Sequence, residues 1–309
     1  MKTLIKIAFI FILSVQYVQV KAQQDPMLSQ YMFNGLFLNP AYAGSHRFFQ
    51  STLIYRRQWV NIQGAPQTFI AAVDGPVHRE KMGLGLIIAN DQIGVTNQTD
   101  FLANYSYNLK LGNGKLAFGI KAGVSQYRVK ITDLTYWDEE DPIYAGNING
   151  EIIPKFGAGV YYHQEKWFAG ISIPTLLAYE KEYNFSININ DASNLRRHLL
   201  ITGGYVFTLN DNWKIKPSTL VKYTHAAPLQ VDLNCNVLWK DMIWLGVSYR
   251  TGDSFVGMLE YQANDRFRIG YAHDFTTTQL RNYSSGTHEI MVGFDFGKDF
   301  AKVRTPRFF

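Results

Sequence analysis

From about Gln50 onward the chain repeats one pattern: segments of roughly ten residues alternate apolar with polar or small side chains, each closed by Gly, Asn or Asp. Along Arg266–Phe275, Phe267, Ile269 and Tyr271 fall on one side, and Arg266, Arg268, Gly270 and Asp274 on the other. Successive side chains of a strand face opposite ways, so each ribbon has one greasy face and one charged face. The pattern predicts fourteen strands, near 50–60, 67–74, 81–90, 98–110, 114–126, 153–163, 165–174, 196–209, 212–224, 228–239, 241–251, 253–263, 265–275 and 286–297. The fold class this implies is all-β: a transmembrane antiparallel β-barrel of about 14 strands, preceded by an N-terminal periplasmic or lumenal segment.

Connection lengths test that reading independently. Turns after even strands are short: Gly75–Glu80, Leu111–Asn113, His163–Gln164, Asn210–Asp211, Lys240 and Asn264. Turns after odd strands include the long ones, Tyr127–Ile152, Thr175–Leu195 and Thr276–Ser285. Outer-membrane barrels have short periplasmic turns and longer external loops, and an even strand count puts both barrel ends in the periplasm. A soluble sandwich or propeller also alternates, but needs no such rule. The 15% aromatic content, against 18% charged residues, fits strands ending at two membrane interfaces. Mean hydropathy of −0.13 is compatible, because only alternate residues of a barrel meet lipid.

The N-terminus reads as an export signal: Lys2 and Lys6 precede the apolar run Ile7–Val20, and Val20-Lys21-Ala22 ends in a small residue. Cleavage after Ala22 would divide the chain into a signal peptide (1–22), a motif segment (23–49), a barrel (50–297) and a periplasmic tail (298–309). The single cysteine, Cys235, excludes an internal disulfide and falls on the predicted lipid face.

Catalytic and cofactor chemistry was sought by spacing. The seven His residues have no metal-type spacing, and His273 and Asp274, adjacent in a strand, face opposite sides. No nucleophile elbow or phosphate loop is present, so no catalytic residue, cofactor or metal ligand is assigned. Asp138-Glu139-Glu140-Asp141 could hold calcium through carboxylate oxygens, but reads more simply as a solvated charge run. The net charge of +5 is not gathered into a basic arm, which argues against nucleic-acid binding.

Gln24–Ser45 does not alternate. Asp25-Pro26, Asn34-Gly35, Asn39-Pro40 and Gly44-Ser45 are turn signals, and the apolar residues between them are too many to hang in water. Leu28–Phe33 could form one short helix turn. The segment is expected to pack against the inner wall or the periplasmic rim, as a plug or as a docking surface for a periplasmic partner.

Its residues Asp25, Pro26, Ser29, Gln30, Tyr31, Phe33, Asn34, Asn39, Pro40, Ala41, Tyr42 and Gly44 carry a resemblance. The run closely resembles the opening of the PorP/SprF family of Bacteroidetes, outer-membrane barrels associated with type IX secretion and, in gliding bacteria, with delivery of surface adhesins. The resemblance implies a non-enzymatic component that handles or anchors secreted cargo beside outer-membrane lipid, the secretion machinery and peptidoglycan-associated periplasmic proteins. A general porin or small-molecule transporter is the alternative. Lys214, Lys216, Lys222, Asp232, Arg250, Glu260, Arg266, Arg268, Glu289 and Asp295 are expected to face a common lumen. Opposite charges around a narrow lumen favour a mutually neutralising network over a wet channel.

Overall fold

The computed structural model describes residues 27–78, 80–130, 148–178, 198–224 and 227–297. The signal region, Asp25, Pro26, the acidic run Asp138–Asp141 and the tail from 298 lie outside them.

Strands form where the alternation predicts them. The first seven are β1 (Phe49–Arg57), β2 (Gln67–Val77), β3 (Met82–Ile93), β4 (Thr96–Leu111), β5 (Gly114–Val129), β6 (Ile148–His163) and β7 (Trp167–Ala178). β8 (Leu199–Tyr205) resumes as Phe207–Thr208 after a break at Val206, so the two pieces count as one strand. The remainder are β9 (Trp213–Thr224), β10 (Ala227–Trp239), β11 (Ile243–Arg250), β12 (Ser254–Gln262), β13 (Phe267–Thr276) and β14 (Thr287–Phe296). Each pairs antiparallel with its neighbours in sequence. The first strand pairs with the last, from Phe49 opposite Phe296 to Arg57 opposite His288. The result is a closed barrel of fourteen strands with no free edge.

The longest connection is shorter than the alternation predicts. β5 runs on to Val129 and β6 begins at Ile148, so both ends of the expected Tyr127–Ile152 loop are strand. β7 continues past its expected end to Ala178, while β8 starts later than expected, at Leu199, so this connection is shifted along the chain. Arg128 and its neighbours broke the apolar alternation there, yet they still pair across the sheet. The end bearing the Val129–Ile148 and Ala178–Leu199 connections is the outer one by the loop-length rule.

The sides sort as expected. Outward residues form an exposed apolar belt that includes Val247 at 64% and Ile120 at 60% exposure. An apolar surface that extensive is found where a protein meets lipid. Inward residues on the same strands, among them Lys216, Asp232, Arg250, Glu260, Arg268, Glu289 and Asp295, are buried. Cys235 is exposed on the belt, and His273 and Asp274 do face opposite sides. Two charges depart from expectation. Arg266 lies in the turn before β13 with an exposed side chain, outside the lumen, because the strand starts two residues later than the pattern implies. Lys214 faces inward only at the short-turn rim, where it bridges Asp241.

Candidate functional site

The lumen is filled by the chain's own N-terminal segment. After Leu28, a 3-10 turn (Tyr31–Phe33), a short α-helix (Gly35–Leu38) and a second 3-10 turn (Pro40–Tyr42) lead into β1. This is more structure than the single turn the sequence implies. Asn39 caps the second turn by accepting from the Ala41 N–H at 2.9 Å, with Pro40 at the first position, where no N–H is needed. Leu28, Leu36, Leu38, Ala41 and Ala43 are fully or almost fully buried against Ile54, Ile70, Ile87 and Leu102 of the inner wall. The inner face of β1–β4 therefore carries an apolar patch, Ile54, Ile70, Ile87 and Leu102, where the plug packs.

At the outer end of the lumen, charges fasten the plug. Glu289 accepts from the backbone N–H groups of Ser29 and Gln30 at 2.8 and 2.7 Å. The Ser29 hydroxyl donates to Asp274 at 2.6 Å. Arg56 completes the cluster, donating to Ser29 Oγ at 2.6 Å, to Glu289 at 3.0 Å and to Asp274 at 2.8 Å. Beside it Arg250 bridges Asp232 at 3.1 Å and donates to the Leu28 carbonyl at 3.4 Å. Buried charges persist only when paired and hydrogen-bonded, and here the partners include the plug backbone. Tyr31, buried 4% exposed, accepts from Asn234 at 2.6 Å, and its desolvation raises the phenol above its usual range, keeping it neutral.

The middle and lower lumen hold the rest of the segment. Lys216 lies over the rings of Phe33 at 5.6 Å and Trp244 at 5.3 Å, a cation over two aromatic faces. Lys121 donates to the Phe37 carbonyl, and Ser172 to that of Leu38. Asn39 donates to the carbonyl of Val160 at 3.0 Å, and Ser106 to that of Ala43 at 2.6 Å. The Gly44 N–H reaches Asp74 at 3.0 Å, close to the short-turn end. Gly44 has a φ of +66°, and a Cβ there would strike the backbone of Gly83. Strand glycines form matching seats: a Cβ on Gly119 would overlap Ala41, and one on Gly159 would overlap Asn39. Above Phe37 and Leu38 a small recess opens toward the outer end, lined also by Asp100, Lys155, His198 and Lys222.

Ser29, Gln30, Tyr31, Asn34, Asn39, Pro40, Ala41, Tyr42 and Gly44 are thus buried together, with Phe33 half-buried beside them. Their side chains face the barrel wall and do not form an exposed docking face. Among the described residues no group of three or more His, Cys, Asp or Glu side chains is arranged to hold a metal. The sequence reading missed Arg56, Asp74, Asp100, Lys121 and Lys155 as inward charges. Their signal was present: Arg56 has the same parity as Gln50 and Thr52 on β1.

Fold and site together define an outer-membrane-type β-barrel whose lumen is closed by its own leading segment. The chain matches the family described as "Type IX secretion system membrane protein PorP/SprF" over residues 20–294. It belongs to that family. Solved structures share the barrel architecture at low identity. They include Omp33 of Acinetobacter baumannii (9% identity, 82% of this chain and 100% of that one, TM-score 0.49). A FadL homologue of Pseudomonas aeruginosa gives 12% identity over 88% and 95% of the chains, TM-score 0.45. Outer membrane phospholipase A of Escherichia coli gives 9% identity over 88% and 99%, TM-score 0.37. At these values the likenesses carry no functional argument. No curated protein matches the chain.

Proposed function

We propose that this family member is a non-enzymatic, plugged scaffold of the type IX secretion machinery that helps secrete or anchor surface proteins of the adhesin type. In this reading the chain is exported by a signal peptide cleaved after Ala22 and resides in the outer membrane. The outer connections around 127–152 and 175–195 engage cargo. The short-turn rim and the basic tail Lys298–Phe309 meet secretion components and peptidoglycan-associated proteins in the periplasm.

The observation that carries the reading is the occupied lumen. Arg56, Asp274, Glu289 and Arg250 clamp Leu28–Gln30 across the outer half, and Asn39 and Gly44 hold the same segment below. A conduit for small solutes needs that space; a scaffold working through its loops and rim does not, which weighs against the porin alternative. Deleting the gene and assaying adhesin-type proteins on the cell surface tests the proposal. Selective loss of one or more surface proteins, restored by the intact gene, supports it. Unchanged display of every cargo removes it.

A further inference from the structure

On the exterior wall, at the outer ends of β1, β12, β13 and β14, the apolar belt gives way to a polar row. Arg57 is the cross-strand partner of His288, His288 of His273, and His273 of Gly257. Cross-strand partners share a face. Arg57 is exposed and its neighbour Arg56 is buried in the lumen, so this row lies outside the barrel. One pleat nearer the membrane centre the same register gives Tyr55, Ile290, Tyr271 and Leu259, all part of the exposed belt. On β12 and β13 the exposed Phe255 and Phe275 follow one pleat farther out, so the row lies within an aromatic girdle of the kind found at the membrane interface.

Its chemistry is that of an anion site. The Tyr271 hydroxyl lies 2.7 Å from His288 Nδ1. With the phenol donating, the imidazole carries its proton on Nε2, so His288 offers an N–H donor even when neutral. The His273 and His288 rings meet edge-on at 4.6 Å. A Cβ on Gly257 would find nothing within 4 Å, which leaves open space at the end of the row.

The charge on the β1–β14 side of the row is positive, and Asp253, in the loop before β12, is bridged to Arg250 at 3.2 Å. The loops flanking β1 and β14 are joined by Val60 donating to Gly286 at 2.9 Å and Ser285 donating to Val60 at 3.0 Å. Residues 58–66 and 277–286 contain no Asp or Glu, and the second loop adds the exposed Arg281. Among the described residues neither Arg57 nor Arg281 has a carboxylate partner, whereas Lys115 and Lys214 at the opposite rim are bridged to Glu80 and Asp241.

We infer that Arg57 and His288, with the gap at Gly257, form a binding site for a phosphate group on an outer-leaflet lipid. The guanidinium fork matches phosphate oxygens, and His288 supplies a second donor. A lipid fits better than a free anion because the row adjoins the belt: one molecule can place its phosphate on Arg57 and its chains on Tyr55 and Ile290. The inference rests on the outer-membrane orientation proposed above.

Purified full-length protein in maltoside micelles, a detergent without phosphate, tests it by native mass spectrometry. The probes are bis-phosphorylated lipid A, the same lipid with its phosphates removed, and inorganic phosphate as competitor. Arg57→Gln and the double variant Arg57→Gln/His288→Gln are compared with Lys110→Gln at the opposite rim. The intact protein and Lys110→Gln should retain phosphorylated lipid about tenfold or more better than the double variant, with the single variant between them. All should retain dephosphorylated lipid weakly, and inorganic phosphate should not displace the lipid. Equal retention by the double variant, or full displacement by inorganic phosphate, overturns the inference. Heat-dependent gel mobility confirms that each variant is a folded barrel, and the exposed single variant keeps the test decisive if the double one is not. Cell fractionation separately reports the location: absence from the outer membrane would remove the outer-leaflet setting without altering the micelle result.

Discussion

Arg56 on the first strand lies 3.0 Å from Glu289 on the last, and the two are cross-strand partners at the seam that closes the barrel. Both are almost wholly buried, and Glu289 also binds two backbone N–H groups of the plug. One ion pair thus ties ring closure to plug seating. Arg56→Met leaves the buried Glu289 without its cation and Asp274 with only the more distant Arg250, at 3.6 Å. Removing one partner of a buried pair costs roughly 3–5 kcal/mol. The expected result is a clear drop in the temperature at which the barrel loses its compact gel mobility. Arg56→Met/Glu289→Gln should recover part of that loss, since it removes the stranded charge while Asp274 keeps Arg250.

The glycine seats make a second, steric prediction. Gly119→Val places side-chain atoms where Ala41 now lies, and overpacking of a filled interior costs about 1–3 kcal/mol. Gly203 faces outward, and a Cβ there makes one ordinary contact, at 3.7 Å to the Phe168 carbonyl. Gly203→Ala should stay within about 0.5 kcal/mol of the parent. Thermal unfolding in detergent compares the two, and equal stability would mean that the plug does not occupy its seat.

Depth on the lipid face gives a third. Val247→Arg sets a cation in the middle of the belt and should cost roughly 2–4 kcal/mol, against about 0–1 kcal/mol near an interface. Leu111→Arg, at the short-turn end of β4 and 53% exposed, is the interface comparison. Refolding yield into vesicles at graded denaturant distinguishes them. Ser248, which faces inward, is not a neutral control: at 5% exposure it meets filled space, and an arginine there should also impair folding.

How much of this was legible depended on what the inner wall faces. In β9–β14 the inward residues are largely polar, as with Asp232, Asn234 and Asn236 beside Leu233, Cys235 and Val237, and the alternation alone assigned both faces. In β1–β4 the wall packs against Leu28, Leu36 and Leu38, so Ile54, Ile70 and Ile87 face inward and the contrast between the faces fades. Turn chemistry marked Asn39-Pro40 and Gly44 as special without saying why. Only the packed structure shows that Asn39 caps a turn and binds the β6 wall, and that Gly44 sits against Gly83. The strand end at Arg266 was misplaced because the side-chain period continues into a turn whose backbone has already left the ladder.

Ion conductance of the purified, intact protein in a planar bilayer tests the central claim most directly, namely that Leu28–Gly44 seals a membrane-spanning barrel. The account predicts a protein that inserts, migrates as a folded barrel and passes no steady ohmic current. Sustained channel-like conductance from the intact protein would contradict it.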